Sequence, residues 1–93
     1  MSKVYISGAM TGKPDFNWPA FATASSLVVA KGHDPVLPVP YVDGKKYEEY
    51  LRDDLKLLLE CDGIYMLEGW RESNGARLEH MVALACGIDE VML

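Results

Sequence analysis

The chain is 93 residues long, enough for one domain with a single modest core, so residues 1–93 are read as one domain and any site must be built from loops on that core. Hydrophobic residues make up 49% and charged residues 25%, the balance of an ordinary soluble globular protein. A net charge of -5, with nine Lys and Arg scattered along the chain, argues against a nucleic-acid polymer as partner and leaves a single nucleotide open.

The start, MSKVYISGAM, lacks the long apolar region of a signal peptide. No apolar run approaches the roughly 20 residues of a membrane span, so a cytoplasmic location and no membrane partner are expected. Residues 3–7 (KVYIS) form a β-rich run ended by Gly8, and GAMTG, closing at Gly12, is a loop of small residues. FNWPAFATASSLVVAKG reads as a helix with Asn17 as N-cap, Pro19 in the first turn and Gly32 closing the end. Phe21, Ala24, Leu27 and Val28 supply its apolar stripe.

HDPVLPVPYVDG holds a short second strand around Val36 and Leu37, which its three prolines keep short or at a sheet edge. KKYEEYLRDDLKLLLEC is a strongly periodic helix, DGIYMLEG a third strand, NGARLEHMVALACG a third helix and DEVML a last strand. The order βαβαβαβ predicts a small flavodoxin- or Rossmann-like α/β three-layer sandwich around a four-stranded parallel sheet, with strand order 2-1-3-4. Ligands of such sheets bind beyond the carboxyl ends of the strands. That selects the loops GAMTG, PVPYVDG and EGWRESNG.

GAMTG is neither a Walker loop nor Gly-x-Gly-x-x-Gly, which removes the usual support for ATP and dinucleotides. No spacing suggests a metal site, and no cofactor is expected. Cys61 and Cys86, without a C-x-x-C pattern, read as reduced core thiols, and His33 and His80 as surface residues. Trp18 and Trp70 flank the predicted mouth, either as packing residues or as surfaces on which a base stacks.

The third helix carries an oddity. Projected at about 100 degrees per residue, Leu78, Met81, Val82 and Ala85 form its core stripe and Arg77 and His80 its wet side. Glu79 falls between them, with Gly75 four residues before and Ala83 four after, so a carboxylate stands beside two positions of almost no bulk. Gly75 costs up to about 1 kcal/mol relative to Ala in a helix, yet it lets a ligand approach the N–H groups of the positively polarised helix end. The plainer alternative is a capped helix with a partly exposed Glu.

In the second helix Tyr47, Tyr50, Leu51, Leu55, Leu58 and Cys61 share one side, and Asp54 sits with them while Asp53 faces away. A carboxylate on an apolar stripe must be hydrogen-bonded, paired or tuned, and near Glu79 the two would push their pKa values apart. The alternative for Asp54 is a satisfied buried Asp capping a neighbouring loop. Tyr5 is placed to point from the first strand toward the same hollow, or into the core.

YISGAMTG (residues 5–12), FNWPAF, CDGIYMLEGW and SNGARLEHMVALACG together resemble the nucleoside 2-deoxyribosyltransferase-like superfamily. Within it the chain is most similar to short phage and bacterial domains that begin Tyr-Ile-Ser-Gly-Pro-Met-Thr-Gly, with Ala9 here in place of Pro. The resemblance implies cleavage of the N-glycosidic bond of 2'-deoxynucleosides or their 5'-monophosphates. A Gly-x-x-x-Glu pattern in such enzymes falls on Gly75 and Glu79, which makes Glu79 the nucleophile. Asp54 would move a proton and position the substrate, and Tyr5 completes the catalytic set. Substrate contacts fall on Gly8, Ala9, Met10, Thr11, Gly12, Ser73 and Gly75.

Ser73 stands where the transferase branch has Asp, six residues before the nucleophile, and so resembles the branch that hydrolyses 5'-monophosphates. Ala9 and Thr11, in turn, replace a Ser and an Arg of that branch's phosphate loop. The resemblance also implies a homo-oligomer. A second function class, a nucleotide-binding or sensing module without efficient turnover, is compatible with the same pocket, and a third is an interaction domain sharing only the fold.

Overall fold

The computed structural model describes residues 2–40 and 44–93; Tyr41, Val42 and Asp43 of the predicted loop PVPYVDG lie outside the described residues. Strands and helices alternate as β1 (Lys3–Ser7), α1 (Trp18–Ala30), β2 (Asp34–Val36), α2 (Tyr47–Leu59), β3 (Gly63–Met66), α3 (Asn74–Ala85) and β4 (Asp89–Glu90). All strand pairs are parallel and the sheet order is β2-β1-β3-β4, the predicted arrangement.

Because successive side chains of a strand point to opposite faces, β1 serves two cores. Val4 and Ile6 pack with Phe21, Ala24 and Val28 of α1 on one face. Tyr5 packs with Leu58 of α2, Ala76 and Ala83 of α3, and Ile64 and Met66 of β3 on the other. The chain leaves β1 toward β2 on one side and returns to β3 on the other, so the switch in strand order lies between β1 and β3.

Pro35 confines β2 to three residues at the sheet edge, as its missing donor requires. The last strand is shorter than DEVML, with two residues in the ladder and one further bond from Val91 N–H to the Ile64 carbonyl (2.8 Å). Asn17 stands at the start of α1, but without capping it through its side chain; Gly32, at φ +84°, follows the end as predicted.

Three expectations about faces are corrected. Leu27 is 42% exposed, because the buried residues through which α1 meets the sheet are Phe21, Ala24 and Val28. On α3 the buried residues are Ala76, Glu79 and Ala83, whereas Met81 is 65% exposed and Ala85 is also exposed; Leu78 and Val82 are half-buried. Residues 76, 79 and 83 follow the same helical spacing as the expected stripe, but small side chains let α3 lie close to the sheet, and its bulky residues are left outside. Cys61 is a buried thiol, pushed up to about 11 by burial, while Cys86 is exposed at the end of α3 rather than in the core.

Candidate functional site

Tyr5 and Ser7 share the α3 face of the central strand, and position 79 of α3 lies directly over them. The Tyr5 hydroxyl donates to Glu79 Oε2 (2.8 Å) and the Ser7 hydroxyl to Oε1 (2.6 Å), so each carboxylate oxygen has its own buried donor. Glu79 is 5% exposed and Ser7 and Tyr5 are fully buried.

Burial is the main force on the Glu79 carboxyl, with the negative charge of Asp54 adding to it; the two hydroxyl donors oppose it, and the balance sets the group at about 7. The Tyr5 phenol is pushed far upward, first by burial and then by the Glu79 and Asp54 charges, so it remains a donor. Asp54 is raised as well, mainly by burial, against the pull of the Val39 N–H and Lys45. The predicted splitting of the two acids is therefore not the leading effect: both rise, for the same reason.

Above Glu79 opens a cleft of about 700 Å³. Its walls come from the three loop regions selected by sequence. Gly8, Ala9, Met10 and Thr11 follow β1, Pro38 and Val39 follow β2, and Glu72 and Ser73 precede α3, whose first turn adds Asn74, Gly75 and Ala76. Lys45 and the α2 residues Tyr47, Tyr50, Leu51 and Asp54 close the remaining side. Gly8 must be glycine for contact reasons, since a Cβ there would lie 2.7 Å from Leu67 Cδ1.

The two neighbouring aspartates have separate roles. Asp53 pairs with Lys45 at 2.6 Å, whereas Asp54 accepts the Val39 N–H at 2.8 Å and faces the cleft. Ser73 caps α3, its Oγ accepting the Ala76 N–H (3.2 Å). The hollow foreseen beside Glu79 exists only toward Gly75; Ala83 is packed into the core. Even at Gly75 the Tyr47 hydroxyl oxygen stands 3.4 Å from where a Cβ would be.

Of the residues named from sequence, Asp54, Glu79, Gly8, Ala9, Met10, Thr11, Ser73 and Gly75 line one cleft, and Tyr5 lies beneath it bonded to Glu79. Gly12 does not line it; at φ +80° it belongs to the turn that carries the chain away. Neither tryptophan lines it. Trp18 packs on Phe21 (centroids 5.2 Å apart), and Trp70 packs on His80 (4.5 Å) with Arg71 above its ring. His80 also bonds Glu90 at 2.7 Å.

Sequence reasoning missed Ser7, Phe16, Lys45 and Glu72; Tyr47 and Tyr50, expected only to share one side of the helix with Asp54, both line the cleft, and Tyr47 is 59% exposed. Ser7 was detectable from strand alternation, being two residues beyond Tyr5. Phe16 was not. It reaches the cleft from a left-handed turn in which Asp15, Phe16 and Asn17 have φ of 51°, 52° and 66°, a conformation unfavourable for residues other than glycine. The Asn17 side-chain amide anchors that turn by donating to the Ala9 carbonyl (2.9 Å).

Among the described residues no three His, Cys, Asp or Glu side chains cluster as metal ligands, and no helix is long and apolar enough to cross a membrane. Among solved structures, a 2-deoxyribosyltransferase from the psychrotolerant bacterium Bacillus psychrosaccharolyticus, a biocatalyst for nucleoside synthesis, superposes with a TM-score of 0.73. The match covers 96% of this chain and 69% of that one at 15% identity, a likeness of fold. No curated protein matches the sequence. The model of the family described as "Domain of unknown function (DUF4406)" matches residues 2–92, and the chain belongs to that family.

Proposed function

We propose that the protein cleaves the N-glycosidic bond of a 2'-deoxynucleoside or its 5'-monophosphate, with Glu79 as nucleophile. The observation that carries this reading is a buried carboxylate, gripped by two hydroxyls, at the floor of a cleft of about 700 Å³. That volume is within the roughly 300–1,000 Å³ of pockets that enclose small ligands. The fold likeness to a 2-deoxyribosyltransferase supports the same reaction class.

In this mechanism a Glu79 oxygen attacks the anomeric carbon as the bond to the base breaks, its electron pair leaving with the base nitrogen. Asp54, raised by burial, lines the cleft and is the acidic group placed to pass a proton to the departing base. The resulting glycosyl ester on Glu79 is then opened by water, which is hydrolysis, or by the nitrogen of a second base, which is transfer. Phe16, Tyr47 and Tyr50 offer aromatic surface to the base.

For a 5'-phosphate the cleft offers the Thr11 and Ser73 hydroxyls and the start of α3. Its carboxylates Asp54, Glu72 and Glu79 work against a dianion, and Lys45 is already paired with Asp53. Uncharged deoxynucleosides therefore fit the electrostatics better than their monophosphates. The reading takes residues 1–93 as one domain, and an oligomer of this chain belongs to it.

The test is a panel of deoxynucleosides and their monophosphates, with free base followed by chromatography. Glu79→Ala should reduce base release by at least about a thousandfold, as expected for loss of a nucleophile. Unchanged release would end this mechanism.

A binding or sensing module without efficient turnover is the second reading. It is favoured by the bond from the Val39 N–H to Asp54 Oδ1, which commits one oxygen of the proton donor to holding a loop. Under it, deoxynucleosides raise the melting temperature while no base is released.

A further inference from the structure

Two hydroxyls of β1, those of Tyr5 and Ser7, donate to the Glu79 carboxylate. We propose that Ser7 is a positioning residue whose hydroxyl, together with that of Tyr5, fixes the plane of the Glu79 carboxylate at the floor of the cleft. The inference rests on the glycosidic reading for its consequence in catalysis, but not for the geometry from which it starts.

A glutamate carboxylate turns easily about its last torsion, where the rotamer wells are broad. One donor would leave it free to pivot about the bonded oxygen. Here Oε1 is held by Ser7 and Oε2 by Tyr5, and with both oxygens held the plane has no remaining pivot. The Ser7 contact, at 2.6 Å, has the length of a hydroxyl bonded to a charged oxygen, and the Tyr5 contact is longer at 2.8 Å. Ser7 is fully buried, so water does not compete for the bond.

The donor itself is rigidly mounted. Ser7 ends the central strand, in register with Met66 of β3, and its carbonyl accepts the Leu67 N–H at 2.8 Å. Gly8 follows in close contact with Leu67. Neither Ser7 nor Tyr5 lines the cleft, whereas Glu79 does, so both donors approach from below. A carboxylate offers about four lone-pair positions. Two are used beneath, and Glu79 itself lines the cavity where an anomeric carbon would be attacked.

The Ser7 bond also favours the charged, nucleophilic form, because an ionised carboxylate accepts from two hydroxyls without any rearrangement. Alanine at position 7 removes one donor and leaves Tyr5 and the burial unchanged.

The test uses the intact protein carrying 13C-labelled glutamate, with the Glu79 carboxyl signal assigned by its loss in Glu79→Gln. In Ser7→Ala the ionisation midpoint of Glu79 should rise by about one pH unit, a roughly tenfold weaker acid. On a deoxynucleoside that is cleaved, kcat should fall about 10- to 100-fold with KM within a factor of about three, since ground-state contacts are untouched. If Ser7→Ala does not fold, Ser7→Cys keeps a weaker donor in the same place and should move the midpoint in the same direction by less.

A midpoint that stays within about 0.2 pH units in the variant that folds overturns the proposal, as does a loss confined to KM. The midpoint is read without substrate. A protein that releases no base at all, yet shows the Ser7 shift, would discard the glycosidic reading and keep the positioning role.

Discussion

Val4 and Ile6 on one face of β1, and Tyr5 and Ser7 on the other, are equally shut off from solvent, yet they answer to different demands. On the α1 side the buried cluster around Val4 and Ile6 is apolar, and its main requirement is volume. On the α3 side a carboxylate enters the core, and its cost is contained only because two hydroxyls from alternate positions of the same strand meet it. One strand thus carries a packing face and a polar face that opens upward into a cleft. Stability and chemistry are separated by the two-residue period of the pleat.

The largest expected effect lies on the packing face. Phe21 is fully buried against Val4 and Ile6, and Phe21→Ala should cost about 3–5 kcal/mol in chemical denaturation. The Glu79 carboxyl signal should titrate at the same midpoint in that variant as in the parent. A shifted midpoint would mean that the two faces are mechanically coupled through the sheet.

A somewhat smaller effect belongs to the polar face, and it depends on pH. Glu79 has a folded-state pKa raised to about 7, above its ordinary value of 4.5, so the folded protein holds a proton that the unfolded chain has released between those values. The associated stability is fully present below about pH 4.5 and is lost as pH rises to about 7. The loss amounts to about 3 kcal/mol. Glu79→Gln has no such proton, and its unfolding free energy should be flatter than the parent's between pH 5 and 8 by about that amount. Should the two profiles run parallel, burial is not holding the proton on Glu79 in the way described. If the protein is the proposed enzyme, kcat/KM rises with pH through the same midpoint as the nucleophile ionises.

Strand and helix order, parallel pairing and the position of the cleft were all readable from the sequence, because each rests on periodicity and on the rule that places ligands at the carboxyl ends of strands. Glu79 was readable as an anomaly, a charged residue flanked by Gly75 and Ala83. What could not be read was where α3 presses on the sheet. Hydrophobicity favours Leu78, Met81 and Val82, but the distance between the layers is set by the small residues Ala76 and Ala83, which carry little hydrophobic signal of their own. Phe16 was hidden for a different reason. A left-handed turn built without glycine is anchored in part by a long-range bond from the Asn17 side chain to the Ala9 carbonyl, and nothing in local composition announces it.

The smallest expected effect measures that misread face of α3 directly. Had Met81 belonged to a core stripe, replacing it with lysine would bury a charge and unfold much of the population. Since Met81 is 65% exposed, Met81→Lys should change the unfolding free energy by less than about 0.5 kcal/mol, whereas Ala83→Leu, two residues on at a fully buried site of the opposite face, should cost about 1–3 kcal/mol by overpacking. The comparison also reads the outer surface of the helix, where Leu84 is exposed beside Met81. A homo-oligomer joined through that surface would make the Met81→Lys effect large and dependent on protein concentration, because the unfolding equilibrium then includes dissociation. A small, concentration-independent change places any self-association on another surface and leaves Ala76, Glu79 and Ala83 as the side of α3 that the fold requires.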